Sequence, residues 1–222
     1  MMNNFVRTIL RPLPLLVRWY LSKKRIYRTH GLTIEVSPGV FHPGLFFSTE
    51  FLLQFISQKK LENKSLLELG AGSGLLSLKA AQQGAIVTAT DISTKAVENI
   101  RSNSMINSIP ISVIQSDLFD AVPNQPFDWI LINPPYYAKA PRGEDDYAWC
   151  CGEHHEYFAM LFKNLSRFID GSSAVIMVLS DVCDLETIFK IGQQHGFEFV
   201  QKEERSVWAD GKNYIYLIKQ IG

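Results

Sequence analysis

Apolar runs of strand length alternate with helical patterns through the middle of the chain. "SLLELG" (65–70) is a continuous buried-strand run, and "GLLSLKAAQQG" (74–84) follows it as a helix closed by Gly84. The alternation continues with a strand over 85–91 and a helix over 93–107, for which Ser93 is a suitable N-cap. Strands at 111–117 and 128–134, a helix over 156–169, a strand at 173–180 and a helix over 185–196 complete it. Strands separated by helical stretches need crossover connections, which are right-handed, so the pattern predicts a mostly parallel sheet with helices on both faces. That is a doubly wound α/β fold. Ahead of it, 31–50 reads as short strands and turns leading into an apolar helix from about Ser48 to Ser57. Behind it, 197–208 and 213–220 read as strands joined by a hairpin turn at Asp210-Gly211, and such neighbours pair antiparallel.

With 222 residues, 46% of them hydrophobic and 20% charged, the chain has the make-up of one globular domain that needs no metal or disulfide to fold. Disordered, collagen-like and coiled-coil classes are excluded. Three cysteines, two of them adjacent at Cys150 and Cys151 with Cys183 apart, do not make a disulfide framework and predict a reducing, cytoplasmic setting. The stretch Leu10–Leu21 is too short for a membrane span and is broken by Arg11, Pro12, Pro14 and Arg18. No membrane association is therefore expected.

Charge changes the picture at one end. The chain balances 22 Lys+Arg against 22 Asp+Glu, but Arg7, Arg11, Arg18, Lys23, Lys24, Arg25 and Arg28 all precede the first acid, Glu35. The expected organisation is a basic extension over 1–30, helical after Pro14, followed by a domain over 31–222. The extension's charges form either the solvated face of a helix packed through Leu15, Leu16, Trp19 and Tyr20, or a contact for RNA or the ribosome.

The candidate chemistry begins at "LLELGAGSG". Gly70, Ala71, Gly72 and Gly74 follow a buried strand and open a helix, the place where doubly wound sheets bind nucleotide-like ligands. Leu75 stands where a dinucleotide fingerprint needs Gly or Ala, and no Lys-Ser/Thr follows, so nicotinamide and triphosphate ligands are disfavoured. Asp91 ends the next strand and can accept from ribose hydroxyls, with Ile92 as a wall for an adenine. Asp117 ends the third strand and can accept from an adenine amino group, with Leu118 beside the ring. One acid after a strand is commonly a turn or cap; three carboxyl-end features on successive strands point to a ligand.

Asn133-Pro134-Pro135-Tyr136 follows the fourth strand. A planar NH2 group attacks poorly because its lone pair is delocalised. The side-chain oxygen of Asn133 and the carbonyl of Pro134 can each accept one N–H, leaving the lone pair aimed outward, while Tyr136 stacks on the planar group. Positioning, worth roughly 7–11 kcal/mol of barrier, is then the main catalytic term, since two hydrogen bonds of about 1 kcal/mol cannot deprotonate an amide.

The glycine loop led by Glu68, the acid Asp91 and the Asn-Pro-Pro-Tyr box resemble the class I S-adenosylmethionine-dependent methyltransferases, within them the "methyltransferase small" and HemK-like N-methyltransferases. The resemblance covers about residues 31–220. It implies a seven-stranded Rossmann-like sheet in the order 3-2-1-4-5-7-6 with strand 7 antiparallel, and S-adenosyl-L-methionine as cofactor. It implies cofactor contacts at Glu68, Gly70, Ala71, Gly72, Gly74, Asp91, Ile92, Asp117, Leu118 and Thr49, the last within Ser48-Thr49-Glu50, which is similar to the family's Glu-Thr-Glu. Asn133, Pro134, Pro135 and Tyr136 are the implied catalytic residues. The implied acceptor is macromolecular: a protein glutamine amide, or alternatively the exocyclic amino group of a base in RNA or DNA. Leu45, Phe46 and Phe47 replace the Pro-Arg-Pro of the HemK enzymes, and their helical N-terminal domain is not found here. A non-catalytic partner-binding module is the alternative of another class. The segment 137–157 is long for a connection and is expected to be a substrate lid. Cys150, Cys151, His154 and His155 match no common zinc spacing, so no metal is expected.

Overall fold

The computed structural model describes residues 22–207 and 211–221. The helix expected after Pro14 and the turn residue Asp210 lie outside the described residues.

A two-stranded hairpin opens the described chain: β1 (Arg25–Thr29) pairs antiparallel with β2 (Leu32–Val36). Then follow α1 (Phe47–Ser57), β3 (Ser65–Leu69), α2 (Leu75–Gln82), β4 (Ile86–Asp91), α3 (Thr94–Asn107), β5 (Ser112–Gln115) and β6 (Trp129–Ile132). After a long connection come α4 (Glu156–Leu165), β7 (Ala174–Ser180), α5 (Leu185–Gln194), β8 (Phe197–Val207) and β9 (Gly211–Gln220). The main sheet has seven strands in the order β5-β4-β3-β6-β7-β9-β8, which is the expected 3-2-1-4-5-7-6 counted from β3. β9 runs antiparallel to both β7 and β8, and the other pairings are parallel. No helix among the described residues is long and apolar enough to cross a membrane.

Successive side chains on a strand point to opposite faces, so each buried strand feeds two cores. Leu66, Leu131 and Ile176 pack with Phe51, Leu52, Leu76 and Ile34 under α1, α2 and the hairpin. Their chain neighbours Leu67, Ile130 and Met177 pack with Phe158, Phe162 and Ile188 under α4 and α5.

The hairpin is held to α3 by a ladder of three amides. Asn99, Asn103 and Asn107 accept from the backbone N–H groups of Ser37, Glu35 and Thr33 at 2.9, 2.8 and 2.9 Å. In return Asn99 and Asn103 donate to the Glu35 carbonyl, and Asn107 to that of Thr33. The spacing works because four helical residues rise about 6.0 Å while two strand residues rise about 6.7 Å. The alternate N–H groups of Thr33, Glu35 and Ser37, in β2 and just past it, thus find one amide oxygen each, and α3 serves β2 as a neighbouring strand would. Asn103 has a further bond, donating to the Ser73 carbonyl in the glycine loop at 2.9 Å.

Candidate active site

β3 and β6 are adjacent parallel strands, with Leu69 opposite Ile132, and they lie at the point where the strand order reverses. The next residues, Gly70 and Asn133, therefore leave the sheet side by side, about one strand spacing of 4.8 Å apart in the sheet direction. This register brings the glycine loop and the Asn-Pro-Pro-Tyr box together.

The loop turns from β3 into α2 through left-handed backbone at Gly70, Gly72 and Gly74. A Cβ on Gly74 would stand 3.1 Å from Cγ2 of Ile100, so this glycine lets α3 approach. A Cβ on Gly70 would meet nothing within 4 Å, so open space lies above it. The Ala71 N–H donates to the Thr90 carbonyl at 2.8 Å. Asp91 fastens the loop from the side: one carboxylate oxygen accepts from Gly72 N–H and the other from Ser93 N–H, both at 2.9 Å. Burial raises the Asp91 pKa, with those amides pulling the other way. Glu68 is buried beneath the loop and accepts from Ser77 Oγ. Burial pushes its pKa up to about 8, the Ser77 contacts opposing and the charge of Asp91 adding to the rise. Asp117 is exposed beyond β5, while Ile92 and Leu118 are half-buried. Tyr157, in the first turn of α4, has its pKa raised by burial and then by the negative charges of Asp91 and Asp117. It belongs to the same region, although nothing in its sequence context sets it apart.

Asn133 is held from two sides. Its Nδ2 donates to Thr49 Oγ1 at 3.3 Å, and its Oδ1 accepts from the Tyr136 hydroxyl at 3.2 Å. Thr49 lies buried in the first turn of α1, so the residue expected to meet cofactor also orients the amide. Pro134 and Pro135 are buried and Tyr136 is half-buried. On β9, Asn213 is fully buried with neither side-chain atom hydrogen-bonded.

The segment after the box folds back on it. Tyr137 N–H donates to the Trp149 carbonyl at 2.8 Å, and Cys151 N–H to the Tyr137 carbonyl at 2.9 Å, closing the intervening residues into a loop with one short 3-10 turn at Glu144–Asp146. The Trp149 ring meets Phe41 and Phe46 at centroid distances of 5.1 and 4.9 Å, and those two lie 4.9 Å apart. Phe41 sits over Gly72, where a Cβ would come 3.6 Å from its own. Cys150, Cys151 and Cys183 are free thiols, and among the described residues no group of three or more His, Cys, Asp or Glu is placed to hold a metal.

Residues 31–148 match the methyltransferase small domain. The chain belongs to that family. Membership implies S-adenosylmethionine as methyl donor, and the site leaves room for it: open space over Gly70 and, beside the left-handed glycine turn, the Asp91 carboxylate. A Methanocaldococcus jannaschii protein assigned provisionally as a protein N5-glutamine methyltransferase is 34% identical over 122 residues, 54% of this chain and 58% of that protein. The tRNA1(Val) (adenine(37)-N6)-methyltransferase of Shewanella loihica is 36% identical over 114 residues, 46% of each protein. The chain thus spans about half the length of these curated relatives. Among solved structures, a methyltransferase from Pyrococcus furiosus shares the fold, with a TM-score of 0.66 at 21% identity over 95% of this chain and 98% of that one.

The amide ladder, the Asn133–Thr49 bond and the aromatic trio were not foreseen. Three asparagines at i, i+4 and i+8 of an expected helix were the legible signal for the first. The other two join segments more than 80 residues apart in sequence and carry no local pattern.

Proposed function

We propose that this methyltransferase small domain transfers the methyl group of S-adenosylmethionine to the exocyclic amino group of a base in RNA. The observation that carries the reading is Asn133, wedged between Thr49 and Tyr136 beside the open space over Gly70. Glu68, Asp91, Asp117, Ile92, Leu118 and the glycine turn would hold the cofactor, which supplies an electrophilic methyl on a good leaving group.

The chain's own task is the nucleophile. Thr49 and Tyr136 fix the Asn133 amide, and the Tyr136 hydroxyl leaves one lone pair on Oδ1 for the acceptor. That lone pair and the Pro134 carbonyl each accept one N–H, which directs the nitrogen lone pair toward the methyl carbon. The bound donor would pass its methyl to that nitrogen, the C–S bonding pair staying on sulfur, and the surplus proton would leave to water. Two neutral hydrogen bonds contribute about 1–3 kcal/mol, so orientation supplies the larger part.

The acceptor assignment draws on the Shewanella relative, whose name specifies adenine N6, and on the aromatic surface at the mouth. Contact of Arg7, Arg11 and Arg18 with RNA is part of the same proposal. The Methanocaldococcus relative favours the second reading, a protein glutamine amide. Incubation of the full chain with methyl-tritiated S-adenosylmethionine and total RNA or protein from cells lacking it separates the two. Label is expected in an N-methylated nucleoside; label in protein alone overturns the RNA reading. Asn133→Ala should bind S-adenosylhomocysteine nearly normally while turnover falls about a hundredfold or more. Undiminished turnover would refute the role of Asn133.

A further inference from the structure

Phe41, Phe46 and Trp149 are half-buried rings that belong to none of the hydrophobic cores. They touch one another, and Phe41 lies beside Gly72, where an added Cβ would come 3.6 Å from its own. Their mutual contacts contribute to stability, yet each ring keeps part of its surface in water. Their location is specific: the segment between β2 and α1 carries the two phenyl rings, and the segment that follows the Asn-Pro-Pro-Tyr box carries the indole.

We propose that this trio, in place of Tyr136, whose hydroxyl is tied to Asn133, is a clamp for the planar ring of the acceptor, the indole on one side and the phenyl pair on the other. The proposal rests on the base reading above and deepens it, because the clamp makes the site select a ring over an aliphatic amide. Trp149 is bonded through its own carbonyl to Tyr137, the residue after the box, so its backbone is tied to the segment that carries Asn133 while its side chain stays free to change rotamer. The Phe41 and Phe46 rings are inclined by only 30°, a stacked pair, whereas the indole meets Phe46 at 65°. A planar ring entering between the indole and the phenyl pair would replace these inclined contacts by face-to-face ones. At the rim, Tyr137 is 46% exposed and Lys139 Nζ lies 5.9 Å from its ring centroid, a pairing suited to a base and its phosphate.

The test uses the full chain saturated with S-adenosylhomocysteine and two single-stranded RNA heptamers of uridines, one with a central 2-aminopurine and one with an abasic centre. Wild type should prefer the 2-aminopurine heptamer about tenfold or more, the usual effect of stacking one base. Trp149→Ala and Phe46→Ala should abolish the preference, and Trp149→Phe should restore most of it. Affinity for S-adenosylhomocysteine should stay unchanged in all three. The clamp is overturned if wild type does not discriminate between the heptamers, if the alanine variants still do, or if they lose S-adenosylhomocysteine instead. Transfer of label from S-adenosylmethionine to total RNA by wild type is read in parallel. Its absence defeats the base reading itself, whereas its presence with an unchanged RNA KM in Trp149→Ala defeats the clamp alone.

Discussion

Replacing Asn103 by Ala tests whether the hairpin and the glycine loop are tied through one side chain. Asn103 is fully buried and makes three bonds: it accepts from Glu35 N–H at 2.8 Å and donates to the carbonyls of Glu35 at 2.8 Å and Ser73 at 2.9 Å. Glu35 O keeps Asn99 as a partner at 2.7 Å, so the groups deprived by truncation are the Glu35 N–H and the Ser73 carbonyl. A buried polar group without its partner costs about 1–3 kcal/mol, and alanine returns roughly 0.5 kcal/mol of helix propensity. The net loss is about 3 kcal/mol, which for a chain of this size lowers Tm by roughly 6–12 °C. Urea unfolding should rank the alanine variants Asn103, then Asn99, then the half-buried Asn107. The pair Asn99→Ala and Asn103→Ala should be non-additive, because both serve the Glu35 carbonyl. Asn103→Asp should do no better than alanine, since it sets a carboxylate against two carbonyl oxygens. A loss below about 1 kcal/mol for Asn103→Ala, or equal losses at all three positions, would refute the ladder as a structural tie.

Further expectations follow from the site. Because the folded pKa of Glu68, about 8, lies above its ordinary 4.5, the stability it confers is whole below about pH 4.5 and is lost as pH climbs through 8. Glu68→Gln should therefore gain on wild type steadily across that window in denaturant titrations at stepped pH; parallel curves would contradict the burial of an ionisable carboxyl. Gly70→Ala should cost only the left-handed backbone term, about 1–2 kcal/mol, yet strongly weaken S-adenosylmethionine binding measured by calorimetry. Gly74→Ala should cost more in folding, because its Cβ also meets Ile100; a reversed order of stabilities would count against the geometry. Asn213→Val should raise the unfolding free energy read from urea titration by about 1 kcal/mol or more, through removal of an unpaired buried amide. A destabilised variant would mean that Asn213 has a partner in solution.

The alternation of apolar runs made the parallel sheet legible, because strands covered on both faces must be apolar throughout. Boundaries moved where polar ends leave the ladder: β5 is Ser112–Gln115 inside an expected 111–117, and β6 is Trp129–Ile132 inside 128–134. β1 was invisible, since "RIYRT" is a polar strand whose burial only alternates between exposed and half-buried. It pairs with β2 across the turn that contains the 30/31 boundary. The box and the glycine loop were readable because each is a contiguous motif next to a strand. The support around them was not, since Thr49 reaches Asn133 from 84 residues away. Tertiary bonds of that kind leave no periodic trace.

The glycine turn is already stitched at both flanks by the chain's own groups, with Asp91 on Gly72 and Asn103 on Ser73. A ligand settling over Gly70 meets a shaped surface and has little ordering entropy to offset. Capture from solution should then proceed at one speed across loop variants, and differences in residence time should account for differences in how tightly they hold.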